Sequence, residues 1–294
     1  MTVKVKMADT YGFCNGVKNS IALAEQTARL AKGNSVDIVG GEIVHNPDVT
    51  TTLKKKGIGI QPDHTLVKPG GHAVLRAHGV TPEVEQDLRN RKVNVADGTC
   101  PNVKKAQLTA RDLAANGHRV ILLGDVAHPE TQGIIGYAGD NIVVVKSMAE
   151  LQQLLPSLAK QKVALMSQTT KDTDLLYEMS RCLQDNIGGH TMVNTICKAT
   201  AQKQAAAAKL ANEKDVALTL AIGGFNSSNT ALLAKIMGRI KPSHHIEGIK
   251  DLNPEWFKTA YATHKNPVCG ITAGSSTPDS AVQSVVAHVR NITQ

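Results

Sequence analysis

One pattern is written three times along this chain: a short apolar strand, a cysteine, an Ala-rich helical run, a second β-rich run ending in glycine and a polar loop, then a third strand emptying into another polar loop. The cysteines are Cys14, Cys100 and Cys197, at nearly equal separations. The first two share local wording, Cys14-Asn15-Gly16-Val17-Lys18 against Cys100-Pro101-Asn102-Val103-Lys104. Self-similarity of this kind restricts the fold to three similar lobes meeting at one centre. Apolar runs alternating with helical segments predict parallel strands joined by crossover helices, so each lobe is a small α/β unit. Helices are expected over 17–31, 104–115 and 199–213, with Gly33 and Gly117 where a C-terminal cap belongs. Strands are expected over 36–39, 120–123 and 216–222, and again over 73–75, 163–166 and 268–271. Boundaries fall at the cysteines, giving domains 15–99, 100–196 and 197–294, the last completed by the N-terminal strand within 1–14.

In open parallel sheets ligands lie outside the carboxyl ends of the strands. The three cysteines and six polar loops therefore face one side of their sheets and enclose one cavity. A thiolate suits the positive end of a helix, and three soft ligands from three lobes suit an iron-sulfur cluster with one iron left open. Zinc is the rival metal, but the paired Cys-x-x-Cys spacing of structural zinc is absent. Cys182 and Cys269 lack the strand-to-helix setting and receive no role.

The loops carry compact donors, Ser227, Ser228, Asn229, Ser276 and Thr170, together with His45, His78 and His128. Such a set suits a phosphate or diphosphate. Glu130 is the carboxylate of the constellation, on a loop whose backbone Pro129 fixes, and is expected to give a proton with Thr169 relaying or orienting it. An open iron would act as a Lewis acid toward a substrate oxygen. Neither a dinucleotide fingerprint nor a P-loop occurs, so electrons are expected from another protein.

Lys and Arg number 33 against 25 Asp and Glu, a formal charge of +8 that favours anionic partners. Aromatic residues make up only 3%, too few for a stacking surface, so nucleic acid is not an expected partner. Five scattered cysteines, an odd number, do not make a disulfide scaffold, and a reducing, cytoplasmic compartment follows. No signal core is apparent and no apolar run approaches the ~20 residues a bilayer requires, so no membrane is expected.

Gly12-Phe13-Cys14, Val44-His45-Asn46, Ala77-His78-Gly79-Val80, Thr99-Cys100-Pro101, His128-Pro129-Glu130, Gln168-Thr169-Thr170, Asn194-Thr195-Ile196-Cys197, Asn226-Ser227-Ser228-Asn229-Thr230 and Thr272-Ala273-Gly274 together resemble one family. It is the LytB-type family of 4-hydroxy-3-methylbut-2-enyl diphosphate reductases, and the resemblance covers essentially the whole chain. It implies a pseudo-threefold trefoil of three α/β domains around a [4Fe-4S] cluster held by the matching Cys14, Cys100 and Cys197. It implies further that the diphosphate contacts His45, His78, His128, Ser227, Ser228, Asn229 and Ser276, with Thr169 beside them, and that Glu130, Thr169 and His128 are catalytic. The implied reaction, the last step of the non-mevalonate isoprenoid pathway, uses two electrons and two protons to turn the allylic alcohol into isopentenyl and dimethylallyl diphosphates, with ferredoxin or flavodoxin as donor. The chain departs from the family's common wording at Asn15, Asn19, Gln107 and Phe225. Two alternatives stay open at this point: a quinolinate-synthase-like iron-sulfur dehydratase, and a basic phosphate-binding module without turnover.

Overall fold

The computed structural model describes residues 3–264 and 266–292. After an opening strand β1 (Lys4–Met7), the first lobe runs α1 (Asn15–Leu30), β2 (Val36–Val39), α2 (Pro47–Lys55), β3 (Ile58–Gln61), β4 (His72–Leu75), α3 (Pro82–Asn90) and β5 (Asn94–Asp97). The second runs α4 (Pro101–Ala115), β6 (Arg119–Leu123), α5 (Pro129–Ala138), β7 (Ile142–Val145), α6 (Met148–Leu158), β8 (Val163–Ser167), α7 (Thr173–Ile187) and β9 (Thr191–Met192). The third runs α8 (Lys198–Ala211), β10 (Val216–Ile222), α9 (Ser228–Gly238), β11 (Ser243–Ile246), α10 (Pro254–Thr263), β12 (Val268–Ala273) and α11 (Asp279–Arg290).

The strands form three four-stranded sheets with the orders β3-β2-β4-β5, β7-β6-β8-β9 and β11-β10-β12-β1. Every pairing is parallel. Each sheet thus repeats one order, second strand, first, third, fourth, and in the third sheet the fourth place is taken by β1, which pairs Lys4 with Val268 through Met7 with Ile271. By contacts the chain divides into two compact units. One comprises Met1–Asn15, His45–Val49 and Lys198–Gln294, with the third sheet; the other comprises Gly16–Val44 and Thr50–Cys197, with the first two.

Local sequence accounts for the central strands. All seven residues of β10 and all five of β8 are buried, as strands covered by helices on both faces require of near-continuous apolar runs. Helices α4, α5 and α10 open on prolines, which have no N–H to leave unsatisfied, and Gly117 follows α4 at φ +76. In the third sheet Phe257 of α10 and Val282, Val285 and Val289 of α11 pack on one core with Leu218, Leu220 and Ile271.

Two details differ from the sequence reading. Helices α1, α4 and α8 begin immediately after their cysteines, one to three residues before the expected starts at 17, 104 and 199, because Asn15, Gly16, Pro101, Asn102 and Lys198 carry no apolar helical signal. Each sheet also has an edge strand to which the sequence reading assigns nothing: β3 and β11, half-buried strands with Gly59 or the His244-His245 pair, read as loop, whereas β7, Ile142-Val143-Val144-Val145, is a continuous apolar run that lies outside the threefold pattern followed there.

Candidate active site

Each cysteine is held the same way. Its backbone N–H donates to the carbonyl of the residue two places beyond the end of the third strand of a sheet: Cys14 to Ser275 at 3.3 Å, Cys100 to Ala77 at 2.9 Å and Cys197 to Thr169 at 3.1 Å. In the second lobe this extends a ladder already prolonged past β9, where Val193 N–H donates to Leu165 O at 2.9 Å and Ser167 N–H to Thr195 Oγ1 at 2.9 Å. All three cysteines are half-buried, none forms a disulfide, and each immediately precedes a helix. Asn102 Nδ2 lies 4.0 Å from Cys100 Sγ as a donor. Cys269 lies buried in β12, where burial pushes its thiol far up, so it stays a neutral core residue.

Glu130 sits in the first turn of α5 and is only 1% exposed. Thr169 grips both of its oxygens: the backbone N–H donates to Oε1 at 2.6 Å and Oγ1 donates to Oε2 at 3.0 Å. Burial pushes the Glu130 carboxyl up to about 7, while the two Thr169 hydrogen bonds and the Lys171 charge act in the opposite direction. A carboxyl group divided between its two forms near neutral pH is suited to giving and regaining a proton. The helix is capped by His128, whose Nδ1 accepts from the Glu130 N–H at 3.2 Å. In the neutral ring that leaves Nε2 to carry the proton. His78 meets His128 edge to face, with centroids 5.3 Å apart and planes at 84°. Thr169 therefore joins two predicted site residues, Glu130 through its backbone N–H and hydroxyl and Cys197 through its carbonyl.

The third lobe holds the remaining candidates together. Ser227 caps α9, accepting from Thr230 N–H at 3.3 Å, and Ser228 is half-buried at the first turn. Asn229 is 4% exposed; its Nδ2 donates to Ser275 Oγ at 3.4 Å, while Oδ1 has no hydrogen-bond partner among the described residues. A buried polar atom left over in this way is what a ligand would satisfy. Ser276 Oγ donates to the carbonyl of His45 at 3.0 Å. His45 stands one place ahead of the helix cap, a role taken by Asn46, whose Oδ1 accepts from Asp48 N–H at 3.0 Å and Val49 N–H at 3.1 Å.

Three buried residues receive no role from the sequence, where Gln107 is named only as a departure from the family's wording. Gln107, 1% exposed, fills the space between the His78 loop and α5: a Cβ on Gly79, at φ +71, would collide with its Nε2, and one on Gly133 would lie 2.7 Å from it. Arg76, 5% exposed, donates to the Gly40 carbonyl at 2.5 Å; burial pushes its guanidinium down to about 10 against the opposing charge of Glu42. Lys203, 4% exposed, donates to Ser275 Oγ at 3.1 Å. Lys203 had a signal in the sequence, since it shares the buried face of α8 with Thr200, Ala207 and Leu210 at helical spacing.

A family model described as LytB protein matches residues 5–290. This chain belongs to the LytB family. Among LytB relatives, 4-hydroxy-3-methylbut-2-enyl diphosphate reductase of Helicobacter pylori (strain P12) is 35% identical over 292 residues, covering 99% of this chain and 100% of the relative. The protein of the same name from Campylobacter hominis is 37% identical over 292 residues, with 99% and 100% covered. Of solved LytB structures, the E-1-hydroxy-2-methyl-but-2-enyl-4-diphosphate reductase of Plasmodium falciparum superposes with a TM-score of 0.88 at 25% identity, covering 98% of this chain and 88% of that one. An (E)-4-hydroxy-3-methyl-but-2-enyl diphosphate reductase, described as the terminal enzyme of the non-mevalonate pathway, gives a TM-score of 0.66 at 32% identity, with 99% and 100% covered. The α/β class and the three parallel sheets expected from the repeats are therefore those of LytB proteins. Among the described residues no helix is long and apolar enough to cross a membrane.

Proposed function

We propose that this chain reductively dehydroxylates 4-hydroxy-3-methylbut-2-enyl diphosphate. The substrate takes two electrons and two protons, its C–O bond breaks, and water leaves isopentenyl or dimethylallyl diphosphate behind. The relatives that it matches over nearly their whole length bear that activity's name. The observation that carries the reading is the grip of Thr169 on buried Glu130, made by the residue whose carbonyl also receives the Cys197 amide.

Cys14, Cys100 and Cys197 would hold a [4Fe-4S] cluster. The donor set fits such a group: three thiols outside any disulfide, each at a helix N-terminus where negative charge is favoured, each with its amide pinned to a loop. When bound, a cluster with three protein ligands supplies one-electron transfers and a Lewis-acidic iron with an open position.

The remaining work belongs to the chain. The capping hydroxyl of Ser227, the Ser228 hydroxyl, the Asn229 amide and Ser276 bind the diphosphate with His45, His78 and His128. Thr169 holds the Glu130 carboxyl in one orientation, so that its proton is delivered to the departing oxygen. The His128 Nε2–H, fixed by the capping bond at Nδ1, adds a donor beside it. The lobe boundaries fall at the cysteines, the compartment is cytoplasmic, and a small acidic redox protein such as ferredoxin or flavodoxin delivers the electrons to this basic chain.

Protein prepared under strict exclusion of oxygen is expected to be brown and to contain about four irons per chain. With dithionite, a mediator and the allylic diphosphate it should form both isoprenyl diphosphates. A colourless, iron-free preparation, or iron-loaded protein that leaves the substrate intact, would overturn the reading.

A further inference from the structure

The three helices that follow the cysteines are equivalent, and the sixth residue past each cysteine is buried: Ser20 at 2% exposure, Ala106 at 0% and Lys203 at 4%. Two lobes fill this place with a small side chain. The third fills it with a cation, in a setting where a charge is retained only if it is paired or hydrogen-bonded.

The Lys203 ammonium donates to Ser275 Oγ at 3.1 Å. Ser275 is a junction: its carbonyl receives the Cys14 amide and its hydroxyl also receives Asn229 Nδ2 at 3.4 Å. By position Ser275 corresponds to Thr169, since each stands two places past the third strand and holds a cysteine amide. Asn229 likewise corresponds to Glu130, each lying two residues past the cap of its helix. In the second lobe the hydroxyl at this junction orients the proton donor. In the third lobe the same junction orients Asn229 and is itself held by Lys203.

We propose that Lys203 is a positioning residue for the diphosphate: it fixes the Ser275 hydroxyl, and through it the Asn229 amide, and places a positive charge beneath the loops that receive the anion. The inference rests on the reading of Ser227, Ser228, Asn229 and Ser276 as the diphosphate site. The Cys14 amide is held by the Ser275 carbonyl and not by its hydroxyl, so the backbone bond to the cysteine does not depend on the Lys203 contact.

The test uses iron-loaded holoenzyme and inorganic pyrophosphate as the probe, with affinity measured by calorimetry and iron determined in parallel. Lys203→Met keeps the length of the side chain and removes charge and donor; it is expected to weaken pyrophosphate at least ~10-fold with iron content unchanged, as losing a hydrogen bond from a charged group implies. Lys203→Arg keeps the charge and should recover affinity to within about threefold of wild type. Should Lys203→Met lose its cooperative melt, Ser275→Ala removes the same hydrogen bond without burying anything new and should weaken pyrophosphate several-fold. Wild-type affinity in Lys203→Met, or in Ser275→Ala where the methionine variant fails to fold, overturns the proposal, and so does an equal loss in Lys203→Met and Lys203→Arg. If wild-type holoenzyme itself ignores pyrophosphate, the diphosphate site falls first and Lys203 with it.

Discussion

Glu130 concentrates the chemistry of the second lobe in one side chain. Its carboxyl is pushed up to about 7 by burial, from an ordinary value of 4.5. Between those two values the folded protein binds more protons than the unfolded chain, so stability falls as pH rises. The stabilising neutral form is fully present below about 4.5 and lost as pH climbs through 7, a penalty of order 3 kcal/mol above that range. Glu130→Gln keeps an acceptor for the Thr169 N–H but has no proton to give. Turnover is expected to drop at least ~10²-fold with substrate binding kept, and the melting temperature should no longer decline between pH 5 and pH 8 as it does in wild type. Unchanged turnover, or parallel melting profiles, would remove Glu130 from the proton path. Both Glu130 and Thr169 were nameable from their motifs. The two hydrogen bonds between them, across 39 positions of chain, were not, because a motif says which groups are near a site and nothing about which oxygen faces which donor.

At the scale of elements, close packing sets the mutual position of the loops. Gly79 lies at φ +71 with Gln107 against it, and Gly133 on α5 comes close to the same amide. Gly79→Ala would be strained twice, by left-handed backbone and by collision with Gln107, and is expected to cost roughly 2–4 kcal/mol in a urea denaturation. Adding Gln107→Ala should restore only the steric share. Full recovery would mean that backbone strain contributes nothing, and no loss at all would mean that Gln107 does not wedge these loops. The central strands were legible because β6, β8 and β10 are continuous apolar runs. Gln107 was not, since a lone glutamine among Ala106 and Ala110 carries no pattern of its own and its burial depends on two glycines from other elements.

Over the whole molecule, the repeat is closed by the chain's own beginning. Strand β1 takes the fourth place in the third sheet, and Val5 and Met7 pack against the same core as Leu218 and Ile271. Deleting Lys4–Met7 would turn the fully buried β12 into an edge. Its amides are then expected to exchange at least ~100-fold faster, while those of β6 and β8, in the other compact unit, keep their protection. Unaltered protection in β12 would show that β1 is dispensable to its sheet. The amino-acid sequence by itself determined the repeat, the parallel α/β architecture and the cysteine ahead of each helix, because strand and helix periodicity, glycine and proline are local signals that survive without coordinates. Only the tertiary structure decided that Glu130 is buried against Thr169, that Asn229 and Cys14 share Ser275, and that Lys203 reaches that serine across 72 positions. Burial and hydrogen-bond partners are properties of distance in space, which residues far apart in the chain acquire only when the sheets are formed.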